Sequence, residues 1–206
     1  MLSRGIMLEG ISCAGKTSTM YAIKRLFASD MNLERNVIML GEHYTQVLNS
    51  INGELKTHGI AEHTEMLFNR VSMIEKLNEW ACDLGEYNTR SRGLYTIFER
   101  GLINHIAFFE DYDDSKISNL AERFSDLGIE AILLVISDDQ LLRRIMLRDE
   151  QLKKKHPRHY YSDKVEQEKI QQEKMVSAVN KVKIPSRIIC TDSMNWDEYA
   201  KTIINL

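Results

Sequence analysis

An α/β fold, with a five-stranded parallel sheet flanked by helices, is what three features of the chain predict. Short continuous apolar runs alternate with longer segments whose apolar residues recur at helical spacing. The runs lack the polar/apolar alternation of a half-exposed strand, as expected when helices cover both faces of a sheet. The first run ends on a glycine-rich loop that opens directly into a helical pattern.

Residues 5–9 form the first expected strand, and Met20, Ile23, Leu26 and Phe27 mark one face of a helix over 15–28. Val37, Ile38, Met39 and Leu40 make 36–40 the second strand. Over 61–84, Met66, Leu67, Val71, Ile74, Leu77 and Ala81 share a face of a long helix, which a polar loop at 85–93 follows. Residues 94–98 form the third strand, and 102–109 begin a helix that an acidic surface loop at 110–114 interrupts. The most apolar segment, 129–136, is the fourth strand, with Ser137, Asp138 and Asp139 capping the helix that runs through Leu141, Leu142, Ile145 and Met146. A basic stretch (148–162), a charged helix (163–182), a fifth strand (187–190) and a closing helix (196–204) complete the chain. The methionines fall mostly at core-like positions such as Met20, Met66 and Met73. Right-handed crossovers place the strand-end loops on one rim, so 10–17, 41–45, 99–101 and 137–139 form the expected working edge.

At 206 residues and 43% hydrophobic content the chain is expected to be one domain, 1–206. With 27 basic and 30 acidic residues the net charge is −3, so no global field draws a nucleic acid or an acidic membrane. The expected partner is a small molecule. Cys13, Cys82 and Cys190 are an odd, scattered set, which argues against a disulfide framework and for a reducing compartment. No apolar run approaches the ~20 residues of a membrane span, and the loop follows Met1 too closely for a cleavable signal. The expected location is the cytoplasm. The six histidines show no ligand spacing, so zinc is not expected.

The segment from Gly10 through Ile11, Ser12, Cys13, Ala14, Gly15, Lys16 and Thr17 satisfies glycine, four residues, glycine-lysine-serine/threonine. The glycines let the backbone fold round a phosphate so that amides face the anion, and the next helix adds its positive end. Lys16 is a point charge for the β- and γ-phosphates, Thr17 a magnesium ligand, and Ser18 lies near the expected α-phosphate. Cys13 reads as a spacer. The loop predicts an ATP and magnesium site on a P-loop NTP hydrolase-type fold. A guanine-reading Asn-Lys-x-Asp is missing, since the nearest string is Asn180-Lys181-Val182-Lys183.

Further segments occur in order: Met66-Leu67-Phe68-Asn69-Arg70, Phe98-Glu99-Arg100-Gly101, and a basic helix from Arg143 to Arg158. With the loop from Glu9 to Ser18 they resemble the thymidylate kinase and deoxynucleoside kinase group of P-loop phosphotransferases, over most of the chain. The resemblance implies transfer of the ATP γ-phosphoryl group to a nucleoside or nucleoside monophosphate. It implies that Glu99 holds magnesium with Thr17, that Arg100 reaches the transferring or acceptor phosphate, and that Arg70 contacts the acceptor. Glu42, Tyr44 and Met66 would complete the acceptor site, and a homodimer is compatible with the family.

Three positions depart from the thymidylate kinase pattern: Leu40-Gly41-Glu42-His43-Tyr44 lacks the arginine and proline after the second strand, Ser12 stands for a loop carboxylate, and Met66 for an aromatic residue. Keeping Glu42 while losing a cation favours a hydroxyl acceptor, with Glu42 taking its proton. Glu42 as a helix cap or an arginine's partner is the alternative. The loop carries no arginine, so a lid over 144–162 is expected to supply one, Arg148 first and Arg144 next. Two other readings stay open: a P-loop kinase for a non-nucleoside hydroxyl, and a regulatory ATP-binding module.

Overall fold

The structure, a computed structural model, describes residues 3–30, 33, 36–41, 49–51, 54–56, 59–87, 93–154 and 156–204. Its strands are β1 (Ser3–Gly10), β2 (Asn36–Leu40), β3 (Asn49–Ile51), β4 (Glu54–Lys56), β5 (Leu94–Glu99), β6 (Ile129–Val135) and β7 (Ser186–Cys190). Its helices are α1 (Lys16–Ser29), α2 (Ile60–Tyr87), α3 (Leu102–Phe108), α4 (Asp114–Asp126), α5 (Asp138–Gln151), α6 (Arg158–Val179) and α7 (Trp196–Ile204). The five predicted strands form one sheet in the order β2-β5-β1-β6-β7, with every neighbouring pair parallel.

This order explains where the loop sits. From the central β1 the chain crosses outward to β2, returns through β5, and continues on the other side through β6 and β7. The loop after β1 therefore opens where the crossovers diverge, the point at which open α/β sheets leave a crevice at the carboxyl rim. The strands are apolar on both faces because both are covered. Tyr95 packs against Phe27 of α1 with ring centroids 4.6 Å apart. Phe98, three residues on and hence facing the other side, meets Phe124 of α4 edge-on at 5.7 Å. α1 packs with α7, α2 with α4, and α3 with α6.

Side-chain contacts at both ends of the strands hold this edge of the sheet. The Gln172 amide brackets Ile136, accepting from its N–H at 2.9 Å and donating to its carbonyl at 3.0 Å, and so extends β6 by a side-chain mimic of a strand. Arg187 pairs with Glu130 at 2.5 Å and donates to the carbonyls of Thr202 and Ile203, satisfying orphan acceptors at the end of α7.

Several expectations need correction. The interrupted helix after β5 is two helices: Asp113 caps α4 by accepting from the amides of Ser115 (2.9 Å) and Lys116 (3.3 Å). Ser137 stands at the start of α5 but makes no side-chain cap; its backbone N–H donates to Asp192 at 2.8 Å instead. α6 begins at Arg158 rather than 163, because Pro157 fits just ahead of a first helical turn. Met73 is exposed (38%) whereas Met20 is buried, since Leu67, Arg70, Val71 and Ile74 occupy the face of α2 turned inward. The β3–β4 hairpin carried no apolar run and was not expected from the sequence.

α2 and α3 meet through His63 and His105, whose Nδ1 atoms lie 2.8 Å apart in a buried contact beside Phe109. One ring must donate and the other accept, so a single proton serves both. Burial pushes His105 down from 6.5 to about 4. Between these values the unfolded chain binds the proton more readily, so this contribution to stability is present above pH 6.5 and lost as pH falls toward 4. The urea midpoint is expected to drop between pH 7 and pH 5, with a shallower slope in His105→Phe.

Candidate active site

Between β1 and α1 the backbone enters left-handed conformations at Gly10 (φ 144°), Cys13 (φ 65°) and Gly15 (φ 94°). Gly10 and Gly15 are required on spatial grounds too. A Cβ on Gly10 would stand 2.7 Å from the Leu134 carbonyl oxygen, and one on Gly15 would enter the Trp196 indole. Cys13 adopts its conformation without that freedom, at a cost the surroundings must offset.

The offset comes from two residues far along the chain. Arg144, buried on α5, donates to the Cys13 carbonyl at 3.2 Å and to the carbonyl and hydroxyl oxygen of Thr191, while its guanidinium lies 5.4 Å from the Trp196 ring centroid. The fully buried Thr191 hydroxyl donates to the Ala14 carbonyl at 2.9 Å. With these carbonyls drawn outward, trans peptide planes direct the N–H of Gly15 the opposite way, into the loop. Lys16 lies across the concavity, its buried ammonium donating to the carbonyls of Gly10 and Ile11 at 3.1 Å each.

Thr17 and Glu99, 82 residues apart in sequence, meet at this loop: the hydroxyl donates to Glu99 Oε1 at 3.4 Å. Arg100 follows Glu99 with φ 66°, a second strained non-glycine residue. Both its backbone and its guanidinium are held. Its N–H donates to the Leu8 carbonyl at 2.9 Å, its carbonyl accepts from Arg70 at 3.0 Å, and its guanidinium donates to Asn104 at 3.1 Å. Arg148 donates to the Ser12 hydroxyl at 2.5 Å.

A cavity of about 430 Å³ gathers Ser12, Cys13, Gly15, Lys16, Thr17 and Ser18 with Glu99, Arg100 and Arg148. Trp196, Met194 and Arg144 close its far wall. A second cavity, about 270 Å³, opens on the other side of Ser12 and Arg100, toward Asn104, Phe108 and α6.

The structure thus brings the loop, Glu99, Arg100 and Arg148 together. Ala14 lies buried beneath the loop, and Gly10 borders the second cavity. Arg70 is buried as the brace of Arg100, with burial lowering it to about 10, and Met66 is half-buried; neither lines the two cavities. Glu42 and Tyr44 lie outside the described residues.

Glu9 was missed as a site residue. It is fully buried, accepts from the Ile103 N–H at 3.0 Å, and receives the backbone of Gly101 and Asn104 as well, so it caps the start of α3 from β1. Desolvation raises its pKa, against the opposing pull of those bonds and of Arg100. A charge at the end of an apolar strand, one residue before the loop, was the available signal. Thr191 and Trp196 offered none, being a threonine and a tryptophan at the far end of the chain.

No family model matches the chain, and no curated protein sequence does. Solved structures do match. The YorR protein of Bacillus subtilis, solved in complex with phosphorylated GDP, is 12% identical, with 98% of this chain and 94% of that one covered at a TM-score of 0.59. The Deinococcus radiodurans tunicamycin resistance protein is 11% identical over the same shares, at a TM-score of 0.52. The chain therefore shares the α/β fold of these two proteins.

Arg144 and Arg148 are expected to behave differently. Arg144→Ala should lose at least about 2 kcal/mol in urea unfolding, since it removes several buried bonds to a charged donor. Arg148→Ala, with a side chain 37% exposed, should change stability by less than about 1 kcal/mol.

Proposed function

We propose that the protein is a magnesium-dependent phosphotransferase of the thymidylate kinase-like group, moving the γ-phosphoryl group of ATP to a nucleoside or nucleoside monophosphate. The observation that carries this reading is the convergence on one cavity of a left-handed, glycine-dependent loop, Lys16, the Thr17–Glu99 pair, Arg100 and Arg148. Phosphoryl transfer is chiefly positioning and charge neutralisation, and this is a set of donors and cations for a migrating anionic group.

The residues fit magnesium. Thr17 and Glu99 offer hard oxygens beside each other, and this ion is usually bound through one or two protein oxygens with substrate phosphates and water. When bound it would neutralise phosphate charge. The loop amides hold the triphosphate, Lys16 reaches its β- and γ-oxygens, and Arg100 and Arg148 stabilise charge on the group in transit. Residues 144–162 act as the lid that excludes water. The neighbour solved with a phosphorylated nucleotide supports a nucleotide ligand for this fold.

The second reading is a P-loop kinase for a non-nucleoside hydroxyl, and the neighbour named as a tunicamycin resistance protein keeps acceptors beyond the ordinary nucleosides in view. Incubation with ATP-magnesium and pools of nucleosides, monophosphates and other hydroxyl compounds, with product masses read out, separates the two; ATP binding with no accelerated turnover would instead mark a regulatory module. Lys16→Ala is expected to weaken ATP-magnesium binding by roughly 10- to 100-fold in calorimetry, the value of a lost bond to a charged group. Unchanged affinity would remove the loop from the site.

A further inference from the structure

Glu168 of α6 reaches across to the loop from a direction the loop motif does not foretell. Its Oε2 accepts the Ser12 backbone N–H at 3.1 Å, its Oε1 pairs with Lys164 at 2.8 Å, and the residue is buried to 8% exposure. Ser12 therefore carries a carboxylate on its amide and, at 2.5 Å, the Arg148 guanidinium on its hydroxyl. The carboxylate lines the second cavity, of about 270 Å³, which shares Ser12 and Arg100 with the loop cavity.

The chemistry of that second cavity is selective. Asn104, Gln167 and Gln171 give it neutral hydrogen-bonding amides, and Phe108 and Met175 give it apolar walls. Gln171 Nε2 is shut from solvent and has no acceptor among the described residues, which leaves hydrogen-bonding capacity of this amide unspent. Its cations are already engaged, Lys164 by Glu168 and Arg100 by Asn104. A phosphate placed here would face a buried carboxylate, whereas a hydroxyl would face a proton acceptor.

Building on the phosphotransferase reading, we infer that Glu168 is the catalytic proton acceptor and that the second cavity takes a neutral nucleoside, whose hydroxyl is phosphorylated. In the step, the acceptor oxygen forms a bond to the γ-phosphorus. The bond from that phosphorus to the β–γ bridging oxygen breaks, its electron pair leaving with ADP. The hydroxyl proton passes to the Glu168 carboxylate and then to water. Lys164 and the Ser12 amide hold the carboxylate aimed, next to the arginine that meets the migrating group.

The test compares wild type, Glu168→Gln, Glu168→Asp and Glu42→Gln in ATP-magnesium calorimetry and in kcat and KM for nucleosides and monophosphates. Expected are a monophosphate product from a nucleoside, a kcat lowered ~10²-fold or more in Glu168→Gln, partial recovery in Glu168→Asp, and ATP-magnesium affinity within about twofold of wild type. Wild-type preference for a monophosphate acceptor overturns the inference and leaves the phosphotransferase reading intact. So does a Glu168→Gln rate within about threefold of wild type, or a ~10²-fold loss in Glu42→Gln alone. Loss of ATP affinity in Glu168→Gln shows that the carboxylate only supports the loop, and overturns it too. No transfer by wild type to either acceptor class overturns both.

Discussion

A backbone that turns its amides toward an anion cannot also bond those amides to itself. Much of its shape must come from groups outside it, and in this protein they grip the carbonyls of Cys13 and Ala14, while Ala14 N–H and Lys16 hold the Ile11 carbonyl from within. Arg144 takes the Cys13 carbonyl and the Thr191 hydroxyl takes the Ala14 carbonyl, each from behind the loop. Because both belong to the rigid edge formed by β6, β7 and α5, the strained φ at Cys13 is fixed by covalent and packed structure rather than by a ligand. The loop is preorganised, which lowers the reorganisation needed when charge arrives.

The same logic governs Arg100. Its left-handed backbone is held through its amide, carbonyl and side chain, and two carboxylates, Glu9 and Glu99, flank the cations Arg70 and Arg100. A net charge of −3 is therefore compatible with a local site rich in cations. The cations are spaced by carboxylates that orient them, and burial makes each interaction stronger than it would be in water. Ser12 and Arg100 line both cavities, so the same two residues shape each of them.

How much of this was readable beforehand depended on whether the cause was local. The strands were legible because continuous apolar runs have few alternatives, and the loop was legible because its glycines answer to steric need at Gly10 and Gly15. Arg148 was anticipated near the loop from its place in the chain, and the structure sets it on Ser12. Arg144 was expected in the same mobile role, but its burial and its bonds to Thr191 make it a fixed strut. Glu9, Thr191 and Glu168 could not be assigned from sequence. Their roles arise from partners 94, 177 and 156 positions away, and no periodicity encodes such distances. Met73 failed for a simpler reason: a helical stripe of apolar residues identifies a face only to within about one residue's turn.

The contact between Trp196 and Gly15 couples events in time as well as in space. The motif lies between β1 and α1, but the strut, the hydroxyl and the indole that shape it come from α5, from the residue after β7 and from α7. A chain folded only as far as β1 and α1 thus carries the motif without the surroundings that hold its shape. The loop reaches its geometry only when β7 and α7 dock, so that geometry reports on the packing of distant parts of the fold.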